Sequence, residues 1–255
     1  MNLLAFDTGT ERMSMAVSRA VDGQTHIWQH EALGGAQAST GLISHILDLM
    51  QQADLALASL DAICFGAGPG SFTGLRTACS VAQGLALGAN VPVLPMDSLL
   101  AVAQEALLCD PSLVTGGVVT ALLDARMNEL YAATYALEEG RWTTVQESCL
   151  IRPDALGGYL QGLQQKWAGP GPWSVAGNVF MEYEAPLRAV VGAGTPYACV
   201  HALPTARAML QLAPCELAQG HAVDAAQALP RYVRDKVAQT TQERVAAKAI
   251  LAHGA

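Results

Sequence analysis

The sequence predicts an α/β fold of two similar domains with mixed sheets, in which the second domain is reduced. Three observations lead to this prediction. The 255 residues are 51% apolar, which is enough for one large core or two modest ones. Three apparent strands, followed by alternating helices and strands, occur twice along the chain. Each half also opens with a strand that ends in Asp and turns back at once, first at Asp7 and then at Asp124.

The first domain is predicted to span residues 1–109. Alternating apolar and polar residues predict an opening meander of three strands. A helix and a buried strand then lead to a glycine-rich turn and a helix of small residues. A further strand and a helix that Asp97 caps complete the domain. The predicted ranges are 3–6 for the first strand, 40–53 for the first helix, 60–65 for the buried strand, 66–74 for the turn, 91–94 for the last strand and 98–108 for the last helix.

The second domain is predicted to span residues 110–218 and to repeat this order. Its helix after the third strand should begin at Asp154, and Val175 should lie in the next strand. The remaining residues, 219–255, are expected to return to the first domain and to end in a basic tail. The other predicted ranges are 118–123, 129–137, 142–151 and 199–203 for strands and 204–218 for the last helix.

The helix of small residues carries two rows that are spaced four apart. No charged residue occurs from Thr77 through Met96, but glycines and prolines interrupt this segment, so it cannot be a membrane span. A helix that is small and apolar on every face must be covered on every face. One row could therefore face the domain's own sheet and the other a second chain, or both could be internal. The rows are Gly74, Ala78, Ala82, Ala86 and Ser80, Gly84, Gly88.

Composition excludes several classes of protein. The formal net charge of −8 argues against a broad nucleic-acid surface, because phosphate binding needs clustered Lys and Arg. The six cysteines form no CxxC pair, so we expect free thiols that are mostly buried. The N-terminus lacks the pattern of a signal peptide, and a cytoplasmic location is expected.

Several motifs resemble those of a known family. They are LAFDTGTE at 4–11, GPGSFTGLR at 68–76, QGLALG at 83–88, LDARMNELY at 123–131 and PRYVR at 230–234. The duplicated layout with its Asp-Thr-Gly-Thr turn resembles the actin, sugar-kinase and Hsp70 (ASKHA) superfamily. All the motifs together resemble the TsaB family, whose members are partner subunits in the synthesis of threonylcarbamoyladenosine beside the tRNA anticodon.

The resemblance implies a non-catalytic scaffold that binds and activates TsaD, the catalytic paralogue, with the ATPase TsaE joining the complex. It implies only an indirect role for tRNA, no membrane association, and a homodimer that can form through the same surface when TsaD is absent. The implied contact surface lies on two helices of the first domain. Its residues are Leu42, His45, Ile46, Leu49, Met50, Thr77, Ser80, Val81, Gly84 and Leu85.

The Asp-Thr-Gly-Thr turn leaves two interpretations open. Asp7, Thr8, Gly9 and Thr10 could contact a phosphate or Mg²⁺, with Asp124 as their counterpart in the second half. Alternatively, Asp7 only fastens a hairpin by accepting hydrogen bonds from backbone amides. No tightly bound cofactor is expected, and ATP or ADP could bind only at a junction between subunits.

The glycine-rich turn is not a Walker loop, because no Lys-Ser or Lys-Thr pair follows its last glycine. Its backbone amides, with Ser71, Thr73 and Arg76 nearby, could attract an anion. We favour a structural role for the turn, because proline and glycines suit a sharp reversal from strand to helix.

The sequence predicts no metal site and no nucleophile. His26 and His30 are four residues apart, but on a strand such residues stand about 13 Å apart, so we expect both to face solvent. In the catalytic paralogue, metal-binding histidines follow the strand that corresponds to 91–94. This chain has no histidine at 96–103, which argues against metal-dependent transferase or peptidase chemistry.

Two other functions remain as alternatives. One is an ATP-dependent small-molecule kinase of the same superfamily, and the other is a glycoprotease-like metallopeptidase. The missing histidines argue against the peptidase, and the absence of an evident adenosine pocket in the second domain argues against the kinase.

The end of the chain is locally basic. Its charged residues from position 231 onwards are Arg231, Arg234, Lys236, Arg244 and Lys248, against Asp235 and Glu243. This excess could meet an acidic partner or the tRNA backbone, or the segment could be a solvated chain end.

Overall fold

A computed structural model describes residues 1–35, 38–167, 169, 171–192 and 194–234. These described residues form ten strands and six helices, joined by turns and short 3₁₀ segments. The basic residues Lys236, Arg244 and Lys248 of the predicted tail lie outside the described residues.

The first half forms a five-stranded mixed sheet in the order β3-β2-β1-β4-β5. The central strand β1 pairs antiparallel with β2 and parallel with β4. Its first four residues are apolar and all five residues, including Asp7 at its end, are buried, as expected for a strand that is covered on both faces. The elements are β1 (Leu3–Asp7), β2 (Arg12–Val21), β3 (Gln24–Leu33), α1 (Ala38–Gln52), β4 (Ala62–Gly68), α2 (Phe72–Ala89), β5 (Val93–Asp97) and α3 (Ser98–Cys109).

The second half repeats this topology with the sheet order β10-β9-β6-β7-β8. Its central strand β6 pairs antiparallel with β7 and parallel with β9, as β1 does with β2 and β4. The predicted duplication is therefore confirmed. The half is also reduced, because its short helix α5 has four residues where α2 has 18. The elements are β6 (Val118–Asp124), β7 (Leu130–Glu138), β8 (Arg141–Ile151), α4 (Leu156–Lys166), β9 (Trp173–Gly177), α5 (Glu184–Leu187), β10 (Tyr197–His201) and α6 (Ala206–Ala218).

Helices α3 and α6 lie between the two sheets and contact each other. Helix α6 packs on β1 and β2 of the first sheet, although the sequence division assigned it to the second domain. Helix α3 packs in the same way on β6 and β7 of the second sheet. The outer face of the first sheet is covered by α1 and α2, and that of the second sheet by α4 and α5. The third helix of each half therefore packs on the sheet of the other half.

The described part of the C-terminal segment lies against the first domain. Val223 and Val93 exchange backbone hydrogen bonds of 2.8 and 2.9 Å, so the segment extends the edge of the first sheet. Farther on, the carbonyl oxygen of Ala228 accepts hydrogen bonds from Cys79 Sγ at 3.3 Å and Gln83 Nε2 at 2.9 Å. Helix α2 therefore holds residues that follow it by about 150 positions in the sequence.

A side-chain cap is present at the start of α3 but not at the start of α4. The Asp97 carboxylate accepts hydrogen bonds from the amides of Leu99 at 2.8 Å and Leu100 at 3.3 Å, which confirms the predicted cap of α3. Asp154 does not cap α4. It lies in a 3₁₀ turn before the helix and pairs with the Arg152 guanidinium at 3.2 Å instead.

All six cysteines are free thiols, as predicted, but only Cys64 and Cys79 are buried. Cys109 and Cys199 are exposed, and Cys149 and Cys215 are half-buried. The expectation that most of these thiols lie in the core is therefore wrong. Their apolar sequence surroundings indicated strands and helices correctly, but not which face of each element the thiol occupies.

Candidate functional site

Helix α2 presents one of its two small-residue rows to solvent. Gly74, Ala78, Ala82 and Ala86 are buried against the first domain, whereas Ser80, Gly84 and Gly88 are exposed. A side chain at Gly84 would meet nothing within 4 Å. The first row therefore serves the domain's own core, and the second row is open.

Large apolar side chains are also exposed on α2 and on helix α1. Ile43 and Leu47 of α1 are 48% and 49% exposed, and Leu87 of α2 is 78% exposed. Together with the open row of α2 they form what we call the α1–α2 outer surface. Its residues are Ile43, Leu47, Ser80, Gly84, Leu87 and Gly88.

Four of the residues expected on the contact surface are instead core residues. Leu42, Ile46, Leu49 and Met50 are buried in the cluster between α1, α2 and the first sheet, and no more than 3% of any of them is exposed. Their helical spacing correctly marked an apolar face, but it is the face that packs on the chain's own sheet. Ile43 and Leu47 are one position away from that row, and no signal in the periodicity distinguished them as exposed.

The other expected contact residues lie at or near the surface. Ser80 and Gly84 are exposed, while Thr77, Val81 and Leu85 are half-buried. His45 is half-buried and its ring lies 4.4 Å from that of His30 on β3. Whether these residues touch a partner stays a prediction.

A cleft of about 580 Å³ separates the first strand turns of the two domains. The β1–β2 turn with Gly9, Thr10 and Glu11 lines one side, and the β6–β7 turn with Asp124, Arg126 and Met127 lines the other. Further lining comes from the glycine-rich turn, from the C-terminal segment at 231–234 and from Gly34, Gly35, Tyr131 and Asn178. This is the position at which duplicated α/β halves can enclose a ligand.

Asp7 and Thr8 lie beneath the cleft and do not line it, unlike Gly9, Thr10 and Asp124. The Asp7 carboxylate is buried, and it accepts hydrogen bonds from the amide of Gly9 at 2.6 Å and from Ser98 Oγ at 2.9 Å. Thr8 Oγ donates to the carbonyl oxygen of Gly74 at 2.7 Å. Both side chains therefore fasten the strand end to neighbouring elements, which agrees with the hairpin-fastening interpretation.

Burial raises the pKa of Asp7 from 3.8 to about 6, although its two hydrogen bonds act in the opposite direction. Between these pH values the folded chain keeps a proton that the unfolded chain releases. The free energy of unfolding therefore falls as pH rises through this window, by about 3 kcal/mol for a shift of about two units.

Asp7→Asn should remove this dependence. Urea unfolding of both proteins between pH 4 and pH 7 should show the variant gaining stability relative to the natural chain, by about 3 kcal/mol over the range. A stability difference that stays constant with pH would show that Asp7 is ionised in the folded chain throughout.

Asp124 occupies the equivalent place in the second half and repeats the local bonding. Its carboxylate accepts a hydrogen bond from the amide two residues on, Arg126, at 2.8 Å, as Asp7 does from Gly9. It also accepts from Tyr183 Oη at 2.8 Å and pairs with the Arg126 guanidinium at 3.0 Å. Burial and this hydrogen bond raise the pKa of Tyr183 to about 12. The carboxylate at the cleft is thus already engaged on both oxygens.

The arginines that line the cleft are also paired. Arg126 faces Asp124, Arg231 faces Asp97 at 3.4 Å, and Arg234 bonds the Glu129 carboxylate. Across the cleft, Asn178 Nδ2 donates to Glu11 Oε2 at 2.9 Å. A phosphate that entered would have to compete with a carboxylate for each of these guanidinium groups.

The histidine pair of β3 lies on an exposed strand. His26 and His30 are both exposed, as predicted for a strand. Within the described part of the chain, no group of three or more His, Cys, Asp and Glu side chains converges as metal ligands would. None of the described helices is both long and apolar enough to cross a membrane.

Comparison with known proteins agrees with these features. The family model of TsaD, described as tRNA N6-adenosine threonylcarbamoyltransferase, matches residues 33–254. The tRNA threonylcarbamoyladenosine biosynthesis protein TsaB of Haemophilus influenzae is 34% identical over 245 residues, which cover 93% of this chain and 95% of that protein. The Escherichia coli protein of the same name is 32% identical over 240 residues, covering 93% of this chain and 96% of its own length.

Solved structures give the same result. YeaZ from Pseudomonas aeruginosa superposes with a TM-score of 0.71 at 33% identity, over 91% of this chain and 99% of that one. A further P. aeruginosa crystal structure, described as similar to peptidase YEAZ, superposes with a TM-score of 0.74 at the same identity. With a third of its residues identical over nearly its whole length and with the same duplicated fold, the chain belongs to the TsaB family.

Proposed function

We propose that this chain is a non-catalytic subunit in the synthesis of threonylcarbamoyladenosine in tRNA, and that it acts by binding TsaD. The observation that carries the proposal is the α1–α2 outer surface. It combines exposed apolar side chains with exposed small residues, and α2 carries no charge from Thr77 to its end. Such a surface is typical of one that a partner covers.

The geometry of this surface suits another helix. Ser80, Gly84 and Gly88 lie on one face of α2, and the absence of side chains at the two glycines lets a second backbone approach closely. Leu87, Ile43 and Leu47 are the large groups whose burial would drive association. Each large apolar side chain that becomes fully buried contributes about 1.5–3 kcal/mol. A four-helix contact with the matching helices of TsaD would satisfy these requirements, and TsaE would join the resulting pair.

The non-catalytic role is supported by how the cleft uses its polar groups. Asp7 is buried beneath the cleft. One oxygen of Asp124 accepts two hydrogen bonds and the other is paired with Arg126, so neither carboxylate is free to hold a metal–phosphate group. The three lining arginines each face a carboxylate. We therefore propose that transfer takes place on TsaD, and that any ATP or ADP binds at a junction between subunits and not in this cleft.

Reconstitution tests the proposal. TsaD, TsaE and unmodified tRNA are supplied with threonylcarbamoyl adenylate, with and without this chain, and modified adenosine is counted by mass spectrometry. We expect product only when this chain and TsaD are both present, and none from this chain alone. Full activity of TsaD without this chain, or transfer by this chain alone, would refute the proposed role.

A further inference from the structure

The PRYVR segment at 230–234 touches both domains. On the side of the first domain, the Arg231 amide donates to the carbonyl oxygen of Ala67 at 2.6 Å, and its guanidinium faces Asp97. The ring of Tyr232 stacks on Phe72 at a centroid distance of 4.6 Å, and Arg76 Nε donates to Tyr232 Oη at 3.2 Å. The segment is therefore fixed to the start of α2.

Arg234 reaches the second domain from this anchored segment. Its guanidinium donates to the Glu129 carboxylate, to the carbonyl oxygen of Arg126 at 3.4 Å and to Met127 Sδ at 3.2 Å. The Arg234 side chain is only 14% exposed, whereas that of Arg126 beside it is 79% exposed. Charge-assisted hydrogen bonds of this kind are about twice as strong as neutral ones, and removing one partner of a buried pair is costly because the other charge is left uncompensated.

The turn that Arg234 holds has an unfavourable backbone. Arg126, Met127 and Asn128 all have left-handed φ angles, of 61°, 57° and 58°. Successive non-glycine residues in this region are strained and persist only where their surroundings hold them. Within the turn, the Glu129 amide donates to the Arg126 carbonyl at 3.1 Å, the Ala125 amide donates to the Glu129 carbonyl at 3.0 Å, and the Arg126 amide donates to the Asp124 carboxylate. Arg234 supplies the contacts from outside that keep the turn in this shape.

We propose that residues 230–234 form a clasp that holds the two domains together across the cleft, with the Arg234–Glu129 pair as its closing contact. Tyr232, Val233 and Arg234 form one wall of the cleft, so the cleft widens when the pair breaks. This inference does not depend on the proposed function, because it concerns only contacts within the chain.

The clasp is tested by reversing the charge of Arg234 and then by exchanging Arg234 and Glu129. Spin labels are attached to non-natural amino acids that replace Ser44 of α1 and Gln161 of α4. Both positions are exposed, and they lie in different domains. The distance between the two labels is measured by pulsed electron paramagnetic resonance. We expect Arg234→Glu to add a longer-distance population that the natural chain lacks. The exchanged pair Arg234→Glu with Glu129→Arg should return the distribution to that of the natural chain.

Arg152→Glu is the matched control, because it reverses an arginine of an exposed pair with Asp154 that does not join the domains. It should leave the distances unchanged. Circular dichroism checks that each variant is folded. If Arg234→Glu is unfolded, Arg234→Gln is measured in its place. A distance distribution of Arg234→Glu, or of a folded Arg234→Gln, identical to that of the natural chain would overturn the clasp. So would failure of the exchanged pair to restore the distances.

Discussion

Gly84→Arg is expected to weaken TsaD binding at least about 100-fold, which corresponds to about 2.7 kcal/mol, while leaving the subunit folded. A Cβ at Gly84 would meet nothing within 4 Å, so the longer side chain can be placed without disturbing the monomer. In the complex, however, the same side chain would put an unpaired charge between two closely packed helices, where its desolvation is not compensated. The result would be a loss of association without loss of structure.

Gly158→Arg is the matched control for this variant. Gly158 is an exposed helical glycine of α4 in the second domain, and its Cβ position is equally open. Isothermal titration of TsaD should therefore give natural affinity for Gly158→Arg and none measurable for Gly84→Arg. Natural affinity for both variants would remove the α1–α2 outer surface as the site of contact. Val81 is less suitable for this purpose, because it is half-buried and packs on the first core.

Gly74→Ala should destabilise the chain by about 3 kcal/mol or more, although it adds a single methyl group to a helix. The new Cβ would lie 2.8 Å from the carbonyl carbon and closer still to the carbonyl oxygen of Thr8, and 3.1 Å from Gly9 Cα. All of these are backbone atoms of the β1–β2 turn, which cannot move aside as a flexible side chain could. Any movement of the β1–β2 turn away from the new methyl group would also lengthen the hydrogen bond from Thr8 Oγ to the Gly74 carbonyl.

Gly84→Ala, ten residues along the same helix, should have the opposite effect. No atom obstructs its Cβ, and alanine stabilises an exposed helical position by about 0.5–1 kcal/mol relative to glycine. Denaturant unfolding of both variants measures the contrast. A Gly74→Ala protein as stable as Gly84→Ala would show that the glycine-rich turn can move away from the first strand.

Much of the fold follows from local pattern. In β2, large side chains such as Met15 alternate with small ones such as Ala16 on the opposite face, and both faces are buried. This alternation and the apolar runs of β1, β4 and β6 allowed the strands and their duplicated order to be predicted. The two rows of α2 could be predicted as faces for the same reason. The sequence could not show that Leu42 and Ile46 turn inward and Ile43 outward, because periodicity reports that a face is covered but not what covers it.

The candidate site depended on contacts that are distant in sequence. The motif makes Asp7 a candidate for phosphate binding, but the residue does not line the cleft. Its buried carboxylate accepts a hydrogen bond from Ser98, which is 91 positions away, and occupies space that is free only because Gly66 of β4 has no side chain. The pairing of Arg234 with Glu129 joins residues 105 positions apart. The motifs therefore located the cleft, but only the tertiary structure shows which of their side chains reach it.

The exchange of α3 and α6 makes the duplicated halves interdependent. Without the helix at 206–218, the face of the first sheet that carries buried residues such as Ala5 and Leu94 would lose much of its cover. Neither repeat therefore contains a complete hydrophobic interior of its own. If the duplication began from a gene of half this length, its product would have been an obligate homodimer whose two subunits exchanged their last helices. Fusion of two such genes would have turned this exchange between two molecules into helix packing within one chain.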